Sequence, residues 1–143
     1  MNDQLSGLER ARAILATGGR PPIGETLDFA LVEVGEGRAV FAGDPGANTY
    51  NPMGTVHGGY AATLLDSACG FATLSRLAPG QSFTTLELKV AYHRAMTADT
   101  GPVRAEAVVT SFGRRIAYAE AKLTDAAGKL LASATSTLMV LNP

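Results

Sequence analysis

The residues best suited to chemistry stand close together in the chain, between Asn51 and Asp66. Within that stretch, His57-Gly58-Gly59 lies where a loop rich in proline, glycine and asparagine gives way to an apolar run, which predicts the start of a helix. The first N–H groups of a helix have no partner inside it and carry a partial positive charge. Glycines there let a ligand approach the backbone. Such a terminus can stabilise a developing oxyanion.

Asp66 supplies a carboxylate about two turns further along the predicted helix. On a helical wheel its neighbours are all small, which indicates close approach by a partner subunit or by a substrate in a narrow channel. These neighbours are Gly59, Ala62, Thr63, Cys69, Gly70 and Thr73. The opposite side, with Ala61, Leu64, Ala68 and Phe71, is suited to pack on a sheet. The alternative is that Asp66 is a solvated surface acid, as most helical aspartates are.

Other kinds of site find little support. Two histidines, His57 and His93, and one cysteine, Cys69, are too few and too scattered for a zinc centre, so we expect no metal. A serine-hydrolase GxSxG motif, a Walker A motif and a GxGxxG motif after a strand are all missing from the sequence. The net charge of −1 argues against nucleic acid as a partner. The alternative to proton transfer by His57 is that it starts the helix and hydrogen-bonds to the backbone. For Cys69, the alternative to a reactive thiol is a small buried hydrophobic side chain.

The elements that must position these residues form one α+β domain of 143 residues. One helix alone is long enough to cover the predicted sheet, and the short turns between the later strands predict an antiparallel meander. Gly18-Gly19 ends the first helix and Pro21-Pro22 keeps the chain extended. The predicted helices are Asp3–Thr17 and Gly58–Leu77, the long loop is Asp44–Thr55, and the strands are Thr26–Val34, Arg38–Gly43, Ser82–Arg94, Pro102–Phe112, Arg114–Thr124 and Lys129–Leu141.

A membrane location is not expected. The stretch Val56–Leu74 is apolar and long enough to compete as a membrane span, but Asp66 near its middle would be costly in lipid. The first residues, Met1 to Gln4, show no basic region followed by an apolar one, so no secretory signal is predicted. The single cysteine gives no disulfide framework. We therefore expect a cytoplasmic protein.

The spaced residues together resemble the hotdog-fold acyl-CoA thioesterases of the phenylacetate-degradation (PaaI) type. The resemblance covers residues 27–141, nearly the whole chain. It is carried by Asn51, Gly54, His57-Gly58-Gly59, Leu64 and Asp66, then by Thr85 to Ala95, Gly113-Arg114-Arg115, Glu120 to Asp125 and Gly128 to Ala132.

This resemblance implies a long central helix wrapped by a six-stranded antiparallel sheet, with a short N-terminal helix. Residues 1–22 are then a helix and linker, and residues 23–143 a single hotdog domain. The resemblance also implies dimers whose sheets join edge to edge, often pairing into tetramers, with active sites built from both chains. The substrate would be an acyl-CoA, with an aryl or phenylacetyl group or a medium-chain acyl group. No cofactor is expected beyond the coenzyme A of the substrate.

Roles follow by position in the family pattern. Gly58 would donate its N–H to the thioester carbonyl, with Asn51 nearby in the same chain. Asp66 of the other chain would act as general base or nucleophile, two roles that the sequence does not separate. Thr85 of that second chain would hold the water, although Thr84 and Ser82 stand close enough to compete.

Five further residues are candidates for substrate binding. His57 and Gly59 flank Gly58. Arg94, Arg114 and Arg115 could hold the coenzyme A phosphates, because arginine at strand ends binds phosphate through two parallel hydrogen bonds. The alternative for Arg114 and Arg115 is an ordinary charged hairpin, and for Tyr92-His93-Arg94 a solvated strand end.

Two other functions remain open at this point. A hotdog hydratase or dehydratase acts on the same acyl thioesters, but the local histidine-to-acid spacing of those relatives is not found here. The second alternative is a hotdog protein that binds acyl-CoA without catalysing a reaction. Steady release of free thiol from acyl-CoA would separate a thioesterase from both.

Overall fold

Six strands and one long helix make up about half of the chain in the computed structural model, which describes residues 4–143. The elements are α1 (Gly7–Ala16), α2 (Pro22–Leu27), β1 (Phe29–Gly35), β2 (Arg38–Gly43), α3 (Gly58–Leu74), β3 (Ser82–Tyr92), β4 (Val103–Phe112), β5 (Ile116–Asp125) and β6 (Leu130–Leu141). Two short 3₁₀ helices, Ala47–Thr49 and Ala98–Thr100, lie in loops. The predicted helix start at Asp3 lies outside the described residues.

The strands form one antiparallel sheet in the order β1-β2-β4-β5-β6-β3. Strands β4, β5 and β6 are the predicted meander, but the extension of that meander to β3 is wrong. β3 pairs with β6 at the edge of the sheet, because the chain after β3 does not turn tightly. His93 and Arg94 both donate their N–H groups to the Leu131 carbonyl, at 2.8 and 3.0 Å, and the chain then crosses to β4. The two open edges of the sheet are therefore β1 and β3.

Helix α3 lies in the curved inner face of this sheet, which confirms the predicted architecture of a long helix wrapped by six strands. The predicted sheet-facing residues Ala61, Leu64 and Ala68 are fully buried, and Phe71 is half-buried. Small side chains on the central strands let the helix approach closely. They are Ala105, Ala107, Ala117, Ala119, Ala121, Ala132 and Ala134. Within residues 4–143, no helix is both long and apolar enough to span a bilayer.

The stripe of small residues beside Asp66 is only partly open. Cys69, Gly70 and Thr73 are buried within the chain, and a Cβ on Gly70 would meet the Phe83 ring at 3.0 Å. The open part of the stripe lies nearer the start of α3, where Ala62, Thr63 and Asp66 are half-buried. Close approach by another molecule is therefore restricted to the N-terminal half of α3.

The N-terminal segment differs from the predicted one. Helix α1 begins at Gly7 because Ser6 caps it: the Ser6 Oγ accepts the Glu9 N–H at 3.2 Å, and the Glu9 carboxylate accepts the Ser6 N–H at 2.7 Å. Gly7 then packs directly on the Leu74 carbonyl at the end of α3. The predicted extended chain at Pro22 is wrong, since this proline occupies the first position of helix α2.

Several predicted element ends also shift. Strand β1 starts at Phe29 rather than Thr26, because Asp28 ends α2 in the left-handed conformation with φ 58°. Helix α3 ends at Leu74 rather than Leu77, since its last turn tightens into the bonds Arg76 N–H to Thr73 and Leu77 N–H to Leu74. Three predicted strands move by one or two residues at one end, namely Ser82–Arg94, Pro102–Phe112 and Lys129–Leu141. The fourth, Arg114–Thr124, starts two residues later and ends one residue later than predicted.

Candidate active site

His57 builds the start of α3. It is the N-cap residue, and its Nδ1 accepts the Gly59 N–H at 2.8 Å. Its own N–H donates to the Thr49 carbonyl at 2.7 Å, and its carbonyl accepts the Tyr60 N–H at 3.0 Å. The Gly59 N–H is thus already occupied, and a Cβ at Gly59 would meet Nδ1 at 2.8 Å. Both His57 and Gly59 serve the helix cap in this structure.

The Gly58 N–H is left without an acceptor among the residues that the structure describes. The amides on either side, those of His57 and Gly59, each have one. Gly58 lies at the first position of α3, where no intrahelical acceptor exists. The helix start therefore presents one free backbone donor with the partial positive charge of the helix terminus behind it.

Gly58 lines a groove of about 310 Å³ at the start of α3. Its floor is apolar, with Val56, Ala61 and Met96 buried, and its rim carries the exposed Tyr92 and Arg94. The full lining is Val56, Gly58, Ala61, Tyr92, His93, Arg94, Ala95 and Met96. An apolar floor beside one oriented donor suits a ligand with a carbonyl and a hydrocarbon part.

A larger concavity, of about 690 Å³, lies on the outer face of the sheet, away from α3. Its walls are the outward-pointing side chains of β3 to β6, among them Lys89, Glu106, Glu120 and Lys122. Neither the free amide nor Asp66 reaches this face, so we assign the chemistry to the smaller groove.

Asp66 and Thr85 form the second feature. The Thr85 hydroxyl donates to Asp66 Oδ1 at 3.0 Å, and both residues are half-buried. Thr84, the competing candidate, is exposed and opposite Met139, whereas Thr85 is opposite the buried Leu138. The structure therefore brings Thr85, rather than Thr84, to the carboxylate.

Cys69 lies on the next turn of α3. Burial first, and then the negative charge of Asp66, raise the pKa of the Cys69 thiol to about 12. A thiol with that pKa stays protonated at neutral pH and is not a nucleophile. The structure thus agrees with Cys69 as a small buried hydrophobe.

Asn51 shapes its own loop. Its Oδ1 accepts the N–H groups of Met53 and Thr55, at 2.9 and 3.2 Å, and its Nδ2 donates to the Thr55 hydroxyl at 2.9 Å. A side-chain amide nitrogen carries two hydrogens, so the hydrogen bond to Thr55 uses one side-chain N–H of Asn51 and leaves the second outside the bonds of this loop.

The three arginines do not come together within one chain. Arg94 lies just beyond Tyr92, at the Gly58 end of β3, and is exposed. Arg114 and Arg115 lie in the β4–β5 turn and line a separate cavity of about 510 Å³ with Asn142. Asn142 is tied to Gln81 just before β3 by a 2.7 Å hydrogen bond. The two sets are thus separated by the length of β3, whose 11 residues span about 33 Å.

Sequence reasoning missed the contact between Tyr92 and Gly58. The Tyr92 hydroxyl donates to the Gly58 carbonyl at 2.7 Å, across the gap between β3 and α3. The one available signal was a large aromatic at the end of a strand, which is equally typical of a solvated strand end.

Among residues 4–143, no three His, Cys, Asp or Glu side chains are grouped so that they could hold a metal ion.

Comparison with known proteins places this chain in a family. Residues 53–132 match the thioesterase superfamily model, a stretch that includes Gly58, Asp66, Thr85, Arg94, Arg114 and Arg115. A 1,4-dihydroxy-2-naphthoyl-CoA hydrolase from Listeria monocytogenes is 29% identical over 116 residues, 81% of this chain and 93% of that protein.

Solved structures agree with the family match. A mutant of the phenylacetic acid degradation protein PaaI from Thermus thermophilus is 32% identical, with a TM-score of 0.75 over 83% of this chain and 98% of that one. A thioesterase family protein from Silicibacter pomeroyi is 26% identical, with a TM-score of 0.83 over 96% of this chain and 100% of that one. The resemblance seen in the sequence is confirmed, and the chain belongs to the thioesterase superfamily with its hotdog fold.

Proposed function

We propose that this protein hydrolyses acyl-CoA thioesters to the free acid and coenzyme A. The observation that carries the proposal is the pair of features on α3: one free amide at its start and one carboxylate, Asp66, held by Thr85. Family membership and the similarity to a 1,4-dihydroxy-2-naphthoyl-CoA hydrolase support the same reaction. A thiolate leaves readily without strong protonation, so one base or nucleophile and one oxyanion donor are sufficient.

One chain does not complete this site. Gly58 and Asp66 are eight residues apart on α3, which places them about 12 Å apart along the helix axis. That distance is too long for one thioester to meet both groups. We therefore propose that each site takes Gly58 from one chain and Asp66 from a second copy.

The open edge of β3 supplies a way to join two copies. β3 has 11 residues, pairs with β6 on one side only, and carries Leu86 exposed at a bulge. An unpaired strand edge of this length is a template for pairing with another strand. If two β3 strands pair antiparallel, the Tyr92 end of one lies opposite the Ser82 end of the other. Gly58 then approaches Asp66 of the partner subunit, because Gly58 contacts Tyr92 and Asp66 contacts Thr85.

In the proposed site, the thioester carbonyl accepts the Gly58 N–H, and the tetrahedral oxyanion is stabilised there. Loss of one such donor typically costs about 10²–10³ in kcat. The remaining side-chain N–H of Asn51, from the same chain, is proposed as a second donor to this oxyanion. The acyl group occupies the apolar floor of the groove next to Val56, Ala61 and Met96.

Asp66 of the partner subunit acts on the opposite side of the carbonyl, as general base toward water or as nucleophile. The Thr85 hydroxyl donates to one carboxylate oxygen, which leaves the other oxygen for the reacting atom. The lone pairs of that hydroxyl can in turn hold the attacking water. No metal or redox cofactor enters this reaction.

The same antiparallel pairing brings the arginines together. Arg94 lies at the Tyr92 end of β3, and Arg114 and Arg115 lie at the Ser82 end. We therefore propose that the phosphates of coenzyme A bind between Arg94 of one chain and Arg114 and Arg115 of the partner subunit. Because coenzyme A esters are intracellular, the proposal includes a cytoplasmic location. Pairing of dimers into a tetramer remains a prediction.

The test is a panel of acyl-CoA esters assayed for thiol release by the full chain. The panel contains 1,4-dihydroxy-2-naphthoyl-CoA, phenylacetyl-CoA, benzoyl-CoA and octanoyl-CoA, with an enoyl-CoA assayed separately for hydration. Thiol release from an aryl ester at a higher kcat/KM than from octanoyl-CoA supports an aromatic acyl group. Binding without thiol release would favour a non-catalytic acyl-CoA-binding protein, and water addition to the enoyl ester would favour a hydratase.

A further inference from the structure

The peptide unit between Gly58 and Gly59 is held from both ends. On one side its carbonyl accepts the Tyr92 hydroxyl at 2.7 Å. On the other side its N–H donates to His57 Nδ1 at 2.8 Å. A side chain from β3 and a side chain from the helix cap therefore fix the same peptide plane.

This restraint acts where the backbone is intrinsically freest. Two consecutive glycines have the widest range of backbone angles of any residue pair, and helix ends fray. The Gly58 N–H is one Cα away from the held peptide, so rotation about the bonds of Gly58 would change its direction relative to α3. Electrostatic stabilisation of an oxyanion depends on a donor that is oriented before the reaction begins.

The Tyr92 ring also packs against Gly58. A Cβ at position 58 would lie 3.0 Å from Cζ and Oη of the ring, closer than ordinary contact. Tyr92 is 55% exposed and lines the same groove as Gly58. Tyr92 therefore contacts the backbone that carries the donor and limits the space beside it.

We propose that Tyr92 is a positioning residue for the Gly58 amide: its hydroxyl holds the Gly58–Gly59 peptide and thereby fixes the orientation of the Gly58 N–H beside the groove. Tyr92 transfers no proton and bonds no substrate atom in this role. The inference rests on the proposed function, because it concerns the donor that the thioester carbonyl would meet.

Tyr92→Phe tests this proposal, since it removes the hydroxyl and keeps the ring. Tyr118→Phe is the matched control, because Tyr118 is similarly exposed, at 48%, on the outward side of β5. We expect Tyr92→Phe to lower kcat about three- to tenfold, the effect of one neutral hydrogen bond, with KM within about twofold. The thermal midpoint of unfolding should match that of wild type, and Tyr118→Phe should match wild type in every measurement.

A second measurement does not depend on turnover. The ¹⁵N relaxation order parameters of Gly58 and Gly59 should fall in Tyr92→Phe and stay at wild-type values in Tyr118→Phe. Unchanged order parameters, or an unchanged kcat in an active enzyme, would overturn the proposal. A rise in KM at constant kcat would also overturn it, because Tyr92 would then bind substrate directly. If wild type releases no thiol from any ester, the proposed function fails, and the order parameters still decide whether Tyr92 holds the peptide.

Discussion

Asp66 carries the chemical step of the proposed mechanism at the level of single residues. Asp66→Asn should reduce kcat at least about 10²-fold, because an amide is neither a base nor a useful nucleophile. Acyl-CoA affinity should persist, since Gly58 and the groove are unchanged. The thermal midpoint should hold or rise, because the substitution is nearly isosteric and removes a half-buried charge. Thiol release, calorimetric binding and thermal unfolding check these three outcomes.

The control for this substitution is Asp99→Asn, at an exposed aspartate in the 3₁₀ helix before β4. It should behave as wild type throughout. Near-normal turnover of Asp66→Asn would identify Asp66 as a surface acid and contradict the mechanism.

Thr85 gives a second prediction at this scale. Thr85→Val keeps the shape of the side chain but removes the donor to Asp66 Oδ1. We expect kcat to fall about three- to tenfold, the effect of one lost hydrogen bond. Thr84→Val, one residue away and exposed on the other face, should leave kcat unchanged. If Thr84→Val is the damaging change, the water-holding residue has been assigned wrongly. Steady-state thiol release on both variants decides between them.

The choice between Thr84 and Thr85 shows what sequence reasoning could and could not predict at this scale. The pairing of a carboxylate with a nearby hydroxyl followed from the family pattern. Which hydroxyl reaches the carboxylate depends on the β-bulge between Thr85 and Glu87, which shifts the alternation of side chains along β3. No residue type in that strand signals the bulge.

At the level of elements, the start of α3 depends on an uncommon capping residue. The choice is between His57 as a cap and His57 as a proton-transfer group. His57→Ala removes the acceptor for the Gly59 N–H and should lower the free energy of unfolding by about 1 kcal/mol. His57→Ala should also lower kcat, because the first turn of α3, which carries the Gly58 N–H, becomes less rigid. Asparagine is a strong capping residue, so His57→Asn should restore both the stability and most of the kcat.

Chemical denaturation and thiol release on the two variants separate the roles. If His57 transfers a proton, His57→Asn will regain stability while its kcat stays as low as that of His57→Ala. Recovery of both quantities is the result that the hydrogen bond in this structure predicts.

Local sequence patterns predicted most helices and strands, but not which strands lie side by side in the sheet. Alternating side chains located β1, strand-like runs between turn residues located the other five strands, and the apolar run after His57 located α3. The position of β3 beside β6 was not predictable in that way, because strand order is set by long-range packing on α3 rather than by local residue type. Helix α2 was missed since two adjacent prolines are equally typical of extended chain, and its end depends on Asp28 in a left-handed conformation.

At the level of the whole molecule, the proposed site depends on two chains. The donor half, with Gly58, and the carboxylate half, with Asp66 and Thr85, lie on different parts of the same α3. In an isologous dimer each site then combines one half from each chain. If the site is shared in this way, a dimer of two different inactive variants can regain one intact site. A site within one chain would not regain activity in such a mixture.

Asp66→Asn damages only the carboxylate half. Gly58→Val damages only the donor half, because its Cβ would meet the Tyr92 ring at 3.0 Å and its methyl groups would enter the groove. Each variant alone should be a folded dimer with little turnover, by sedimentation and thiol release. In a mixed dimer, however, Gly58 of the Asp66→Asn chain faces the intact Asp66 of the other chain, so one of the two sites has both halves intact.

Co-expression of the two variants in equal amounts should therefore restore about a quarter of the wild-type activity per chain, since half of the dimers are mixed and each has one intact site of two. The restored activity should copurify with dimers that carry both affinity tags, and its KM should equal that of wild type. Co-expression of Asp66→Asn with wild type under the same two tags serves as the reference for how freely chains exchange, read as the fraction of doubly tagged dimers, because the activity of that mixture is about half of wild type with or without exchange. If doubly tagged dimers form and remain inactive, the site lies within one chain or at a different interface, and the joining of two β3 edges proposed here is wrong.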